Sequence, residues 1–193
     1  MMHYDRVWAE VDLDAVSCNI QSIQQKIQKT TKIIAVVKTD GYGHGAVPIA
    51  RLLEQNQSVW GYAVATAEEA LVLRENGIRK NIMILGYTFP YSYQQLIERE
   101  IRQTVFMYDV AQLLSQQAQD MGKVCKIHIK VDTGMTRIGI EPDAEGIAFV
   151  KKVSKLPALE IEGIFTHFAT ADEADKTKTY RQLQMFQAFV QQL

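Results

Sequence analysis

The chain has 193 residues, 47% hydrophobic and 22% charged, with a formal net charge of -1. That is an ordinary globular composition, long enough to bury a sizeable core, and the near-zero charge provides no global basic surface for nucleic acid. The Lys151-Lys152 pair is too small for a binding tract, and no apolar run is long enough to span a bilayer.

The first segment, "DRVWAEVDL" (5–13), alternates like a strand, and Asp5, Arg6, Glu10 and Asp12 interrupt any signal-peptide core. A long amphipathic helix, "DAVSCNIQSIQQKIQ", is expected over 14–28. Short apolar, β-branched runs then recur: "KIIAVV" (32–37), "WGYAVA" (60–65), "NIMILG" (81–86), "RQTVFM" (102–107), "VCKIHIKV" (124–131) and "LEIEGIFT" (159–166). Helical segments lie between them. One, 66–77, opens on a Thr66/Glu69 capping box and ends at Gly77; another, 109–122, runs from Asp109 to Gly122; a third, 143–156, stops before Pro157. Cys18 and Cys125 have neither CxxC nor metal-ligand spacing, so free thiols in a cytoplasmic protein and no metal site are expected.

Six strands alternating with helices argue for a parallel sheet with right-handed crossovers. An open doubly wound sheet and a (β/α)8 barrel both fit, although a barrel needs eight strands. The last helix, 178–193, keeps Leu183, Phe186, Phe189, Val190 and Leu193 in phase and has no C-cap glycine. The expectation is a chain that stops inside a larger fold; a natural C-terminal helix is the alternative.

In such folds chemistry sits at the C-terminal ends of strands, and three strands here end in reactive side chains. In "AVVKTDGYGHGA" (35–46), alternation puts Ile34, Val36 and Lys38 on one face. An amine on an apolar face loses hydration and favours its neutral, nucleophilic form. The glycines beyond it could let backbone approach a phosphate, with Tyr42 donating to it. A lysine snorkelling from a strand end remains the other reading. In "KIHIKVDTGMTRIG" (126–139), Lys126, His128, Lys130 and Asp132 alternate with Ile127, Ile129 and Val131. Buried cations need partners or modification, unless this is an edge strand with a solvated polar face. The Arg137 guanidinium beyond the turn suits a carboxylate or phenolate. In "GIFTHFATAD" (163–172), His167 ends an apolar strand and is followed by Thr170 and Asp172.

Together these stretches resemble the alanine racemase family, enzymes that use pyridoxal phosphate to interconvert L- and D-alanine. "AVVKTDGYGHGA" is similar to the family's cofactor-lysine motif, "KVDTGMTRIGI" to its second signature and "GIFTHFATAD" to its third; "WAEVDLDAVSCNI" is similar to its opening. Thr39 and Gly41 stand where many members have alanine. The resemblance implies a parallel (β/α)8 TIM-type barrel, present incompletely with about six strands in 14–193. It also implies that residues 1–13 pair with an absent C-terminal β domain.

By the same resemblance Lys38 is the Schiff-base lysine and the catalytic base on the D-alanine face. Tyr42 contacts the cofactor phosphate, and Arg137 contacts the cofactor's phenolic oxygen and the substrate carboxylate. His167 belongs to a hydrogen-bond network in the site, and Lys130 matches a position carbamylated in many members. The expected activity is alanine racemisation for cell-wall precursor supply, by a homodimer in the full-length protein, with no nucleic-acid or membrane partner. The family's second base lies outside this chain, so the 193 residues alone are expected to be inactive and to associate through open strand edges. Serine or broad-specificity racemisation and an inactive pyridoxal-phosphate-binding fragment are the alternatives.

Overall fold

The structure, a computed structural model, describes residues 7–193. Asp12 caps the first helix, α1 (Leu13–Gln24), through its Oδ1, which accepts from Ala15 N at 3.0 Å. The helix stops four residues short of the expected end. Residues 7–12 form no strand, and residues 5 and 6 of the strand-like opening lie outside the described residues.

Next come β1 (Ile33–Val36), α2 (Lys38–Tyr42), α3 (Ala46–Leu53), β2 (Val59–Val64), α4 (Ala67–Glu75) and β3 (Asn81–Ile84). After them come a 3-10 turn (Pro90–Ser92), α5 (Tyr93–Glu98), β4 (Ile101–Val105), α6 (Tyr108–Asp120), β5 (Cys125–Lys130), α7 (Ala144–Val153), β6 (Leu159–Phe165) and α8 (Thr177–Val190). All six expected strands are present, each within two residues of its expected ends. The short helices α3 and α5 escape a periodicity reading, because eight and six residues span too few turns to establish a face.

The chain divides into two compact units, the first ending at Ile82 and the second running from Met83 to Leu193. In the first unit β1 pairs with β2 in parallel, Ile34 opposite Gly61 and Val36 opposite Ala63. Asn81 at the start of β3 approaches Gly61 so closely that a Cβ there would lie 2.1 Å from the Asn81 carbonyl oxygen. Tyr62 is fully buried, and its hydroxyl donates to Ala50 O at 2.6 Å and Glu54 Oε2 at 3.2 Å.

In the second unit β5 lies between β4 and β6, parallel to both. Its apolar side chains, Ile127 and Ile129, are fully buried with Leu114 and Ala118 of α6, Val153 of α7 and Phe189 of α8. Burying each such side chain contributes about 1.5–3 kcal/mol. The fold is therefore parallel α/β, with the strand–helix succession of a (β/α)8 barrel.

Candidate active site

The first constellation grows from the end of β1. Val37 N donates to Ala63 O at 2.9 Å, and Lys38 follows, half-buried. Thr39, Asp40, Gly41 and Tyr42 then take φ values of 56°, 50°, 62° and 55°. Left-handed backbone costs roughly 1–2 kcal/mol per L residue, so a run of it persists only where surroundings over-determine it.

Those surroundings are specific. Gly41 N donates to Val37 O at 2.8 Å, Gly43 N to Thr39 O at 3.2 Å and Gly45 N to Asp40 O at 2.9 Å. Asp40 Oδ1 accepts from Ala46 N, at the head of α3, at 2.8 Å. Glu69 of α4 accepts from Thr39 N at 2.6 Å and from Ala65 N at 2.7 Å. The left-handed turn folds Tyr42 back toward Lys38, whose Nζ lies 5.8 Å from the ring centroid, and leaves the phenol 63% exposed.

One expectation is corrected here. Ile34 and Val36 do not form a buried apolar face around Lys38; they are 39% and 48% exposed, while Val37 is buried. Among the described residues β1 pairs only with β2, and Lys38, like Ile34 and Val36, remains partly exposed.

The second constellation grows from β5 and β6. β5 is no edge strand: Lys130 is 3% exposed and His128 and Asp132 are each 8% exposed. Glu162 of β6 accepts from Arg102 of β4 at 3.0 and 3.1 Å, and from Lys126 at 3.1 Å; His128 Nε2 lies 3.1 Å from it. Burial alone would raise the Glu162 pKa, but hydrogen bonds from Arg102, His128 and Lys126 outweigh burial and bring it to about 2. Burial pushes His128 down despite that carboxylate. Lys126 is thus paired, although its side chain stays partly exposed. A Cβ at Gly163 would meet the His128 ring at 2.6 Å, so the glycine makes room for it.

Lys130 Nζ donates to Val131 O at 2.7 Å and to Ile138 O at 3.3 Å. Burial lowers its pKa, with Asp132 acting against that and the Arg137 guanidinium adding to it. Asp132 organises the following turn. Its Oδ1 accepts from the amides of Gly134, Met135 and Thr136 at 2.9–3.0 Å, and its Oδ2 from Arg137 N at 3.2 Å. Burial raises the Asp132 pKa, but those four amides prevail and hold it low. The Arg137 side chain projects exposed from this anchored backbone.

His167 lies two residues beyond β6 with an exposed side chain. Its carbonyl accepts from Gln182 Nε2 at 3.2 Å. The same nitrogen donates to Thr133 Oγ1 at 3.2 Å, while Gln182 Oε1 accepts from Ala169 N at 3.0 Å. Thr133 and Thr166 share a hydrogen bond of 2.7 Å. Gln182 of α8, 2% exposed, therefore ties the loop bearing Arg137 to the loop bearing His167. Thr170 Oγ1 is buried with no partner among the described residues, and Asp172 is exposed. Lys38 and Tyr42 thus meet in the first unit, and Lys130, Arg137 and His167 belong to the second. A cavity of about 350 Å³, lined by Arg102, Cys125 and Lys126, lies at the N-terminal ends of β4 and β5, the opposite strand ends from Lys130 and His167.

Glu69, Glu162, Arg102 and Gln182 are missed by sequence reasoning. For Glu162 a signal exists: the alternating carboxylates of "LEIEG" match the alternating cations of "KIHIK" across a parallel pair. Glu69 is legible only as half of a capping box. Thr66 Oγ1 does accept from Glu69 N at 3.3 Å, but the Glu69 carboxylate goes elsewhere. Among the described residues no helix is long and apolar enough to cross a membrane, and no group of His, Cys, Asp and Glu could hold a metal ion.

The family model for the alanine racemase N-terminal domain matches residues 11–193. Alanine racemase 1 of Clostridium acetobutylicum is 47% identical over 191 residues, 99% of this chain and 49% of that protein. The solved alanine racemase of Clostridium difficile 630 aligns with a TM-score of 0.95 at 38% identity, over 99% of this chain and 50% of that one. A histidine racemase from Leuconostoc mesenteroides subsp. sake aligns with a TM-score of 0.82 at 29% identity, over 91% and 46%. The chain spans about half the length of the curated relatives it matches.

Proposed function

The chain belongs to the alanine racemase N-terminal domain family, and from that membership we propose that it supplies the cofactor-lysine half of a pyridoxal-phosphate-dependent racemase acting on alanine. The observation that carries this reading is the left-handed turn that brings the Tyr42 phenol to the half-buried Lys38 amine.

Within the first unit the donors fit the cofactor, an amine for its aldehyde and an exposed phenol for its phosphate; the guanidinium for its phenolic oxygen is assigned by the family resemblance. Lys38, Tyr42 and Arg137 would hold it, with His167 in the surrounding network. When bound, pyridoxal phosphate withdraws electrons from the amino acid and acidifies its α-carbon. The chain's own residues do the rest. Lys38 takes or returns the α-proton on the D-alanine face. Arg137 fixes the substrate carboxylate by charge and planar geometry. Asp132 and Gln182 keep the backbones of Arg137 and His167 in place.

Racemisation needs a proton donor on each face, and these residues supply one. We therefore expect no turnover from the 193 residues alone. The whole protein would act as a cytoplasmic homodimer supplying D-alanine for peptidoglycan. A broader substrate range is the second reading, favoured by the match to a histidine racemase.

The test is to add pyridoxal phosphate, reduce with borohydride and map the modified peptides by mass spectrometry. A pyridoxyl group on Lys38 alone supports the reading. Labelling scattered over surface lysines, or none, overturns it for this chain.

A further inference from the structure

We propose that Glu69 is the positioning residue for Lys38: its carboxylate straps the ends of β1 and β2 together and holds the left-handed turn that aims the amine. This inference rests on the reading of Lys38 as the cofactor lysine.

Glu69 Oε1 accepts from Thr39 N, the amide immediately after Lys38, at 2.6 Å. Oε2 accepts from Ala65 N, the first residue beyond β2, at 2.7 Å. One half-buried carboxylate therefore satisfies two amides, 26 positions apart in sequence, that lie just beyond the ends of β1 and β2. Hydrogen bonds to an ionised acceptor are short and about twice as strong as neutral ones. Such a pair can offset the left-handed backbone that starts at Thr39. Without it, Thr39 and Asp40 would relax toward right-handed or extended backbone, swinging Lys38 away from Tyr42.

Glu54 provides an internal control. It also accepts from two backbone amides, Arg79 N at 2.8 Å and Lys80 N at 2.9 Å. These precede β3, at the N-terminal ends of the strands, whereas Glu69 works at the C-terminal ends beside Lys38. Glu54→Gln should loosen the fold without touching the amine's aim.

The experiment compares the unaltered chain with Glu69→Gln and Glu54→Gln. Gln has Glu's shape but offers one acceptor and turns an NH2 donor toward the other amide. Two readouts are taken. The first is hydrogen exchange at the Thr39 and Ala65 amides, without cofactor. The second is the rate of Lys38 capture by pyridoxal phosphate. In that capture the amine nitrogen adds to the aldehyde carbon, water leaves, and borohydride delivers hydride to the C=N bond to fix the adduct.

The expected result is at least about tenfold faster exchange at Thr39 and Ala65 and about tenfold slower capture in Glu69→Gln, since a hydrogen bond to a charged group is worth at least that factor. Glu54→Gln should leave both unchanged at equal thermal destabilisation. Equal exchange and capture in Glu69→Gln and the unaltered chain would overturn the proposal. So would equal slowing in the two variants, which would make the effect one of stability alone. If the unaltered chain captures nothing at Lys38, the cofactor reading fails and takes the proposal with it. If only the difference between variants is missing, the cofactor reading stands.

Discussion

Arg102 of β4 reaches across β5 to Glu162 of β6, forming two hydrogen bonds of 3.0 and 3.1 Å between residues sixty positions apart. The guanidinium has 9% and the carboxylate 18% of its side-chain surface exposed, so the pair belongs to the interior of the second unit. Removing one partner of such a pair leaves an uncompensated charge. Glu162→Gln removes the carboxylate that Arg102 and Lys126 share, leaving Lys126 only Glu160 at 3.7 Å, and is expected to destabilise the chain by about 3 kcal/mol at pH 7, read by urea unfolding.

The same carboxylate sets the acid limit of stability. Its folded pKa of about 2 is below its ordinary 4.5, so its contribution is fully present above pH 4.5 and lost as pH falls toward 2. His128 acts in the same direction higher up. Burial lowers its pKa, so the unfolded chain takes up the proton first and stability declines as pH falls through 6.5. Unfolding midpoints measured from pH 8 to pH 2 should fall in two stages. The lower stage should shrink in Glu162→Gln, with Asp132 sustaining the remainder, and the upper one should be missing in His128→Gln.

Gly61 is expected to tolerate no side chain. An added Cβ would lie 2.1 Å from the Asn81 carbonyl oxygen, and that neighbour is backbone rather than a flexible tip. Gly61→Ala should cost about 3 kcal/mol or more and abolish the cooperative melt of the first unit, read by circular dichroism.

The strands were legible because β-branched apolar runs separated by capped helices have no other good packing, and the polar face of β5 was legible from strict alternation over 126–132. The turn after Lys38 was legible as glycine-rich, but not as left-handed through Thr39, Asp40 and Tyr42. That conformation is imposed from outside the stretch, by Glu69 thirty residues on. Gln182 was hidden for the same reason: in a helix rich in glutamine nothing local marks the one that is buried.

Gln182→Leu keeps the size of that side chain and removes all three of its hydrogen bonds. The buried Thr133 hydroxyl still has Thr166, while the Ala169 amide and the His167 carbonyl each lose the Gln182 bond. A loss of about 1–3 kcal/mol is expected, with faster hydrogen exchange in residues 166–170. The Asp132-anchored backbone of Arg137 should remain protected.

Lys130 carries the last prediction. Burial lowers its pKa below the ordinary 10.5, so below that range a protonated Lys130 weighs against folding. The unfolded chain binds more protons there, and stability should rise with pH up to 10.5. Lys130→Met removes the buried cation and its two bonds to the Val131 and Ile138 carbonyls. These effects oppose each other, so a change within about 1 kcal/mol is expected at pH 7, together with loss of the alkaline slope. The neutral amine can also attack carbon dioxide, forming an N–C bond and releasing one proton, to give a carbamate anion. The Arg137 guanidinium on the following turn, which disfavours a cation at Lys130, would favour that anion. Carbon-13 bicarbonate should therefore produce a carbamate carbonyl resonance in the unaltered chain and none in Lys130→Met. The same spectrum from both would show that Lys130 stays an amine, held by its two carbonyls alone.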